Sequence, residues 1–171
     1  MSVFLIGYRG SGKSTVGKLL ASSTDSAFID SDEQIVRRAG KTIREIFAQD
    51  GEAAFRDLET LVVADLAKKQ QHVIALGGGA LHRGENRAAL AGKSHQIFFL
   101  RCTATQLLTR IRNDPATSDN RPSLTPLAGT LAEIEQLLSV REPIYESVMT
   151  AEVDVTHLTT AQAAERILAL L

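Results

Sequence analysis

The run Gly7-Tyr8-Arg9-Gly10-Ser11-Gly12-Lys13-Ser14-Thr15 sets glycines, a lysine and hydroxyls at the spacing G-x-x-x-x-G-K-[ST], whose chemistry is the holding of a nucleoside triphosphate. Glycines let successive backbone N–H groups turn inward around phosphate oxygens, at a helix N-terminus that already favours negative charge. Lys13 can then reach the β- and γ-phosphates. Ser14 carries the short hydroxyl that ligates a bridging magnesium ion, and Thr15 adds a second hydroxyl at the helix start. The bland alternative is a glycine-rich turn that matches by accident. Against it stand the flanks, because Val3 to Ile6 reads as a short buried strand and Val16, Leu19 and Leu20 recur at helical spacing.

Three further groups could join that chemistry. Asp30-Ser31-Asp32 follows the strand Ala27-Phe28-Ile29, and the ends of strands in an open α/β sheet face the ligand. These residues could instead only cap a helix starting near Glu33. Gly77-Gly78-Gly79 follows a third strand, His72 to Leu76, where phosphate-loop proteins commonly carry a magnesium-binding aspartate. The acid must then come from Asp30 or Asp32, and the glycines imply that something approaches the backbone closely or uses its N–H groups, a flexible turn being the alternative. Arg56 lies beside the apolar stripe of a helix, where spacing alone favours an ordinary surface pairing with Glu59 or Thr60 one turn on.

The elements that must position these groups can be read in order. Gly40 closes a short helix containing Ile35 and Val36, and Thr42 to Glu45 is a capping box opening another. From Glu52 a longer helix is expected to bury Phe55, Leu58, Leu61, Val62 and Leu66. Gln96 to Leu100 reads as a fourth strand, followed by a helix capped by Thr103 and Gln106 that bears Arg110 and Arg112. The polar, proline-rich stretch from about 113 to 126 has the length and composition of a lid, with Arg121 as its working residue. Leu131 to Val140 reads as helical, with Arg141 leading into Pro143. Val153 to Val155 is the last strand, and Thr159 with Gln162 caps the terminal helix. The four histidines lack ligand spacing and read as surface or strand-end residues.

Composition narrows the function. A chain of 171 residues with 44% apolar and 23% charged residues suits one domain with a substantial core. A formal net charge of -1 and no tryptophan argue against a nucleic-acid partner. Cys102 is the single cysteine, which excludes an internal disulfide, and together with the absence of an apolar leader points to the cytoplasm. No apolar run approaches the roughly 20 residues that span a bilayer, so no membrane partner is expected.

Taken together, G-x-x-G-x-G-K-S at Gly7 to Ser14, F-I-D-S-D at Phe28 to Asp32, D-G-E-x-x-F-R at Asp50 to Arg56, L-G-G-G-A at Leu76 to Ala80, R-P at Arg121 and R-E-P-x-Y at Arg141 to Tyr145 resemble the shikimate kinases from end to end. The resemblance implies a single domain over 1-171. Its fold is the α/β three-layer sandwich of phosphate-loop, nucleoside-monophosphate-kinase-like proteins, with a five-stranded parallel sheet in the order 2-3-1-4-5. A substrate-binding region spans about 31-60, and a lid about 113-126. It implies phosphorylation of the 3-hydroxyl of shikimate by ATP with Mg2+, in aromatic amino-acid biosynthesis, by a monomer whose partners are those small molecules. Carried over residue by residue, Gly10, Ser11, Gly12, Lys13, Ser14, Thr15, Arg110 and Arg121 serve ATP, and Ser14 and Asp30 serve the metal. Asp32, Arg56, Gly77, Gly78, Gly79 and Arg141 form the acceptor site, and Lys13, Asp32 and Arg121 are the catalytic set. Thr156 to Thr160 departs from the family's usual adenine loop. A different small-molecule kinase, acting on gluconate or a nucleotide, and a non-catalytic nucleotide-binding module are the alternatives.

Overall fold

The computed structural model of the protein describes residues 1–91, 95–114 and 129–171. Five strands, β1 (Val3–Ile6), β2 (Ala27–Asp30), β3 (His72–Ala75), β4 (Gln96–Arg101) and β5 (Ala151–Asp154), form one sheet in the order β2-β3-β1-β4-β5, with every pairing parallel. The central strand β1 has no exposed residue. Its Phe4 and Ile6 belong to the core on one face of the sheet, and Val3 and Leu5 to the core on the other. Alternate residues of a strand point to opposite faces, so a strand covered on both sides must be apolar throughout.

The first core is closed by the helices α2 (Ser31–Ala39), α3 (Ile43–Gln49), α4 (Gly51–Leu66) and α5 (Gly84–Leu90), and the second by α1 (Lys13–Ser23), α6 (Ala104–Asn113) and α8 (Thr160–Leu168). The remaining helix among the described residues, α7 (Leu131–Val148), gives Tyr145 to the first core and Ile134 to the second. No described helix is long and apolar enough to cross a membrane.

Capping largely follows the sequence signals. Thr42 with Glu45 and Thr159 with Gln162 form complete capping boxes, and Gly40 ends α2 in the left-handed region at φ 65°. Thr103 differs: it occupies the N-cap position of α6 without a side-chain cap bond, and its own N–H donates to the Thr156 hydroxyl at 3.2 Å.

Expectations about burial and boundaries are corrected at several places. Leu61 is 51% exposed and the fifth apolar place on α4 goes to Val63, while Glu59, a charged residue, is also buried. Leu19 is likewise exposed on α1. α7 continues through Pro143 to Val148, because Tyr145 and the ion pairs of Arg101 hold its last turns on the sheet. Arg101 on β4 meets Glu142 and Glu146 of α7 at 3.0 and 2.6 Å and Glu152 of β5 at 2.8 Å. Each such pair is worth little alone at a surface, but a shared arginine makes a network. Of the histidines read as surface or strand-end residues, His95 lies directly at the start of β4 and is buried, with Nε2 3.0 Å from the Ala67 carbonyl and its ring edge-on to Phe4.

α1 reaches the sheet at Gly17. A methyl group there would lie 2.5 Å from the Phe28 ring and 3.2 Å from Leu5. Gly17→Ala is therefore expected to destabilise the fold by about 1–2 kcal/mol through overpacking, although alanine is intrinsically the better helix former. Urea unfolding measures this, and a raised midpoint would contradict the close contact.

Candidate active site

The strand-to-helix turn from β1 to α1 takes the shape that its glycines permit. Gly10 and Gly12 adopt φ 80° and 89°, which side-chain-bearing residues rarely take, and Ser11 N–H closes the turn on the Tyr8 carbonyl at 3.2 Å. Lys13 is buried at the first position of α1, and its Nζ donates to the carbonyls of Gly7 and Tyr8, both at 2.8 Å. The ammonium thus spans two peptide units of the loop.

At the end of β2, Asp30 uses both of its carboxylate oxygens. Its Oδ1 accepts the Asp32 N–H at 2.9 Å and caps α2, which begins at Ser31. Its Oδ2 accepts the Ser14 hydroxyl at 2.7 Å. A carboxylate and a hydroxyl, both hard oxygen donors, therefore meet at the rim of the loop, and such a pair suits Mg2+ completed by phosphate oxygens and water. Ser31 is fully buried, and its hydroxyl accepts the Gly77 N–H at 2.9 Å.

The glycine run is used for proximity. None of Gly77, Gly78 and Gly79 has a positive φ. A Cβ on Gly78 would lie 3.3 Å from the Gly7 carbonyl oxygen, 3.4 Å from Arg9 N and 3.5 Å from an Arg141 guanidinium nitrogen, and one on Gly79 would lie 3.0 Å from a guanidinium nitrogen of Arg56. The phosphate loop and both arginines thus pack against bare backbone. Further groups fix this run: Tyr145 donates its hydroxyl to the Gly78 carbonyl, and Asn86 and Arg87 of α5 donate to the carbonyls of Ala80 and Leu81 at 2.6 and 2.7 Å.

Arg56 makes the ion pair that its spacing allowed, but in a different setting. It meets Glu59 at 2.7 Å and Glu52 at 3.2 Å, and Glu59 is 1% exposed. Arg141 lies with its guanidinium carbon 5.4 Å from the centre of the Tyr8 ring. Burial pushes the Tyr8 hydroxyl above its usual range, while Arg9 and Arg141 pull it back.

A cleft of about 1130 Å³ runs across these groups. It brings together Gly10 to Thr15, Asp30, Asp32, Gly77, Gly78 and Arg110. Arg110 is fixed on its wall by donating to the Val155 carbonyl at 2.7 Å, beside Leu158 and Thr160. Gly79 and Arg141 line a small recess that shares Gly78 with the cleft, and Arg56 is in neither wall but stands against Gly79. Asn113 and Asp114, at the start of the expected lid, border the cleft, while Arg121 and residues 115–128 lie outside the described residues. Sequence reasoning missed Ser31 as a support for Gly77, Tyr145 as a support for Gly78 and Glu59 as a buried acid. The only signals were a hydroxyl inside F-I-D-S-D, the tyrosine of R-E-P-x-Y and an acid three residues after Arg56.

Comparison with known proteins gives one consistent result. A family model described as shikimate kinase matches residues 9–171. The chain is 40% identical over 167 residues to shikimate kinase of Methylococcus capsulatus, covering 98% of this chain and 90% of that protein. It is 42% identical over 163 residues to the enzyme of Thermobifida fusca, with coverage of 95% and 90%. Among solved structures, shikimate kinase from Acinetobacter baumannii in complex with shikimate superposes with a TM-score of 0.90 at 32% identity, covering 99% of this chain and 91% of that one. Likeness of this length, in sequence and in fold alike, means that the chain belongs to the shikimate kinase family.

Proposed function

We propose that the protein transfers the γ-phosphoryl group of ATP to the 3-hydroxyl of shikimate, giving shikimate 3-phosphate and ADP. The observation that carries this reading is the junction at Gly78, where the phosphate loop on one side and a guanidinium on the other press on the same stretch of backbone. A carboxylate held by Arg141 and Arg56 would sit one peptide away from the phosphates, and a planar guanidinium is well matched to a carboxylate.

In this reading the loop N–H groups of residues 10 to 15 hold the phosphates, and Lys13 exchanges its two carbonyl partners for β- and γ-phosphate oxygens. Asp32 orients the 3-hydroxyl and takes its proton, and the hydroxyl oxygen forms the new bond to phosphorus as the bond to the β,γ-bridging oxygen breaks and ADP leaves. The N–H groups of Gly77 to Gly79 hold ring hydroxyls. Catalysis is then positioning and charge neutralisation. Ser14 and, through water, Asp30 would hold Mg2+, which supplies positive charge to the β- and γ-phosphates. Arg110 belongs to the adenine end of the cleft, and Arg121 is assigned to the phosphates by resemblance alone. A cytoplasmic monomer, with Cys102 buried and free, suits the reaction.

Steady-state kinetics and binding test these roles. Lys13→Ala should keep its fold and lose turnover by about a hundredfold or more; a folded variant of normal turnover would refute the phosphate-loop assignment. Arg141→Ala should raise the shikimate dissociation constant by about thirtyfold or more and that of ATP by less than about threefold, and the opposite pattern would reassign the recess to the nucleotide. Arg56→Ala should act in the same direction, but it also takes a charged partner from buried Glu59, so it needs measurement well below its unfolding temperature. Asp30→Asn should raise the magnesium concentration for half-maximal rate about tenfold, and an unchanged requirement would leave Asp30 as a helix cap alone.

A further inference from the structure

The polar groups of the glycine run can be followed one by one. Each carbonyl accepts a bond: that of Gly77 from the Ala80 N–H at 2.9 Å, that of Gly79 from the His82 N–H at 3.0 Å, and that of Gly78 from the Tyr145 hydroxyl. The Gly77 N–H donates to the Ser31 hydroxyl at 2.9 Å. No described residue accepts the N–H of Gly78 or of Gly79. Local turns thus hold the carbonyls of Gly77 and Gly79, whereas that of Gly78 depends on a side chain 67 positions away. Tyr145 is buried, its ring centre lies 5.0 Å from that of Phe99, and it follows Arg141 by one turn of α7.

We infer that Tyr145 is a positioning residue for the acceptor: its hydroxyl turns the peptide between Gly78 and Gly79 so that the Gly79 N–H, together with that of Gly78, donates to an oxygen of shikimate. The Gly77 N–H is committed to Ser31, which narrows the donors of the run from three to two. The geometry follows from the planar peptide. In a trans peptide the C=O and the N–H point in opposite directions, and no described peptide bond is cis. A bond that draws the Gly78 oxygen toward α7 therefore aims the Gly79 N–H away from that helix. Without it, a peptide between two glycines turns at little steric cost. A bond accepted at the carbonyl also polarises the N–H of the same peptide and strengthens what it donates. Residues four apart share a helix face, so α7 brings both the Arg141 guanidinium and the orienting hydroxyl of Tyr145 to Gly78.

This inference rests on the proposed function, and the test separates the two. Tyr145→Phe removes one oxygen and keeps the ring against Phe99. In calorimetric titrations of the folded variant, the dissociation constant of shikimate should rise about fivefold or more, and that of a non-hydrolysable ATP analogue, measured without shikimate, should change by less than about twofold. An unchanged affinity for shikimate overturns the inference and leaves the proposed function standing. An equal loss of both ligands also overturns it, because a general loosening of the fold would do the same. A second measurement uses the parent protein, labelled at its glycine nitrogens for magnetic resonance. Addition of shikimate should move the amide protons of Gly78 and Gly79 downfield and leave that of Gly77 in place, and in Tyr145→Phe the Gly79 response should weaken. A parent response confined to Gly77, or none at Gly79, overturns the inference even where Tyr145→Phe does not fold. A parent protein that binds no shikimate removes the proposed function and the inference together.

Discussion

The site depends on how closely two separate pieces of chain, the phosphate loop and α7, approach the backbone of Gly78. A single added carbon there would fall 3.3 Å from the Gly7 carbonyl oxygen and 3.4 Å from Arg9 N, tighter than ordinary van der Waals contact. Because a side chain there would have to push its neighbours back by a few tenths of an ångström, the bare backbone lets the phosphate loop, the end of β3 and the helix α7 share one wall. The parallel sheet makes this possible, since β1 and β3 are neighbours and both run their C-terminal ends to the same edge. Buried hydroxyls complete the junction: Ser31 fixes Gly77 from the β2 side and Tyr145 fixes Gly78 from α7. Precise placement of this kind is what phosphoryl transfer needs, because little of its catalysis is covalent chemistry by the protein.

The buried acids follow the same logic. Glu59 and Glu133 are nearly inaccessible, and each faces an arginine that borders the site. A buried pair of this kind adds little net stability, yet losing one partner is expensive. Such pairs constrain geometry more than they strengthen the fold. Arg56 and Arg9 are thereby held in place before any ligand arrives, which lowers the ordering cost of binding.

Much of this was legible in the sequence, for identifiable reasons. The phosphate loop, the cap at Gly40 and the boxes at Thr42 and Thr159 are local devices, so adjacent residues suffice to recognise them. Asp30 was read as either a cap or a metal-site acid, and its two carboxylate oxygens bond to the Asp32 N–H and to the Ser14 hydroxyl. The misses are tertiary. Leu61 and Glu59 lie two residues apart on α4, and helical spacing alone does not tell that the acid is buried and the leucine exposed; the neighbouring arginine and glycine run decide it. α7 passes through Pro143 because contacts far along the chain, from Arg101 and Gly78, hold its last turns. The bond from Tyr145 to Gly78 joins residues 67 positions apart, and no local pattern encodes it.

The account's central claim is that one shared wall aligns ATP with a carboxylate-bearing acceptor. The most direct measurement is ADP release by the wild-type protein against a panel of shikimate, gluconate and a nucleoside monophosphate, with the phosphorylated product identified by mass spectrometry. The account predicts one ADP per acceptor consumed with shikimate alone, yielding shikimate 3-phosphate. ADP release that ignores shikimate, or that proceeds equally well with gluconate or the nucleotide, would contradict it.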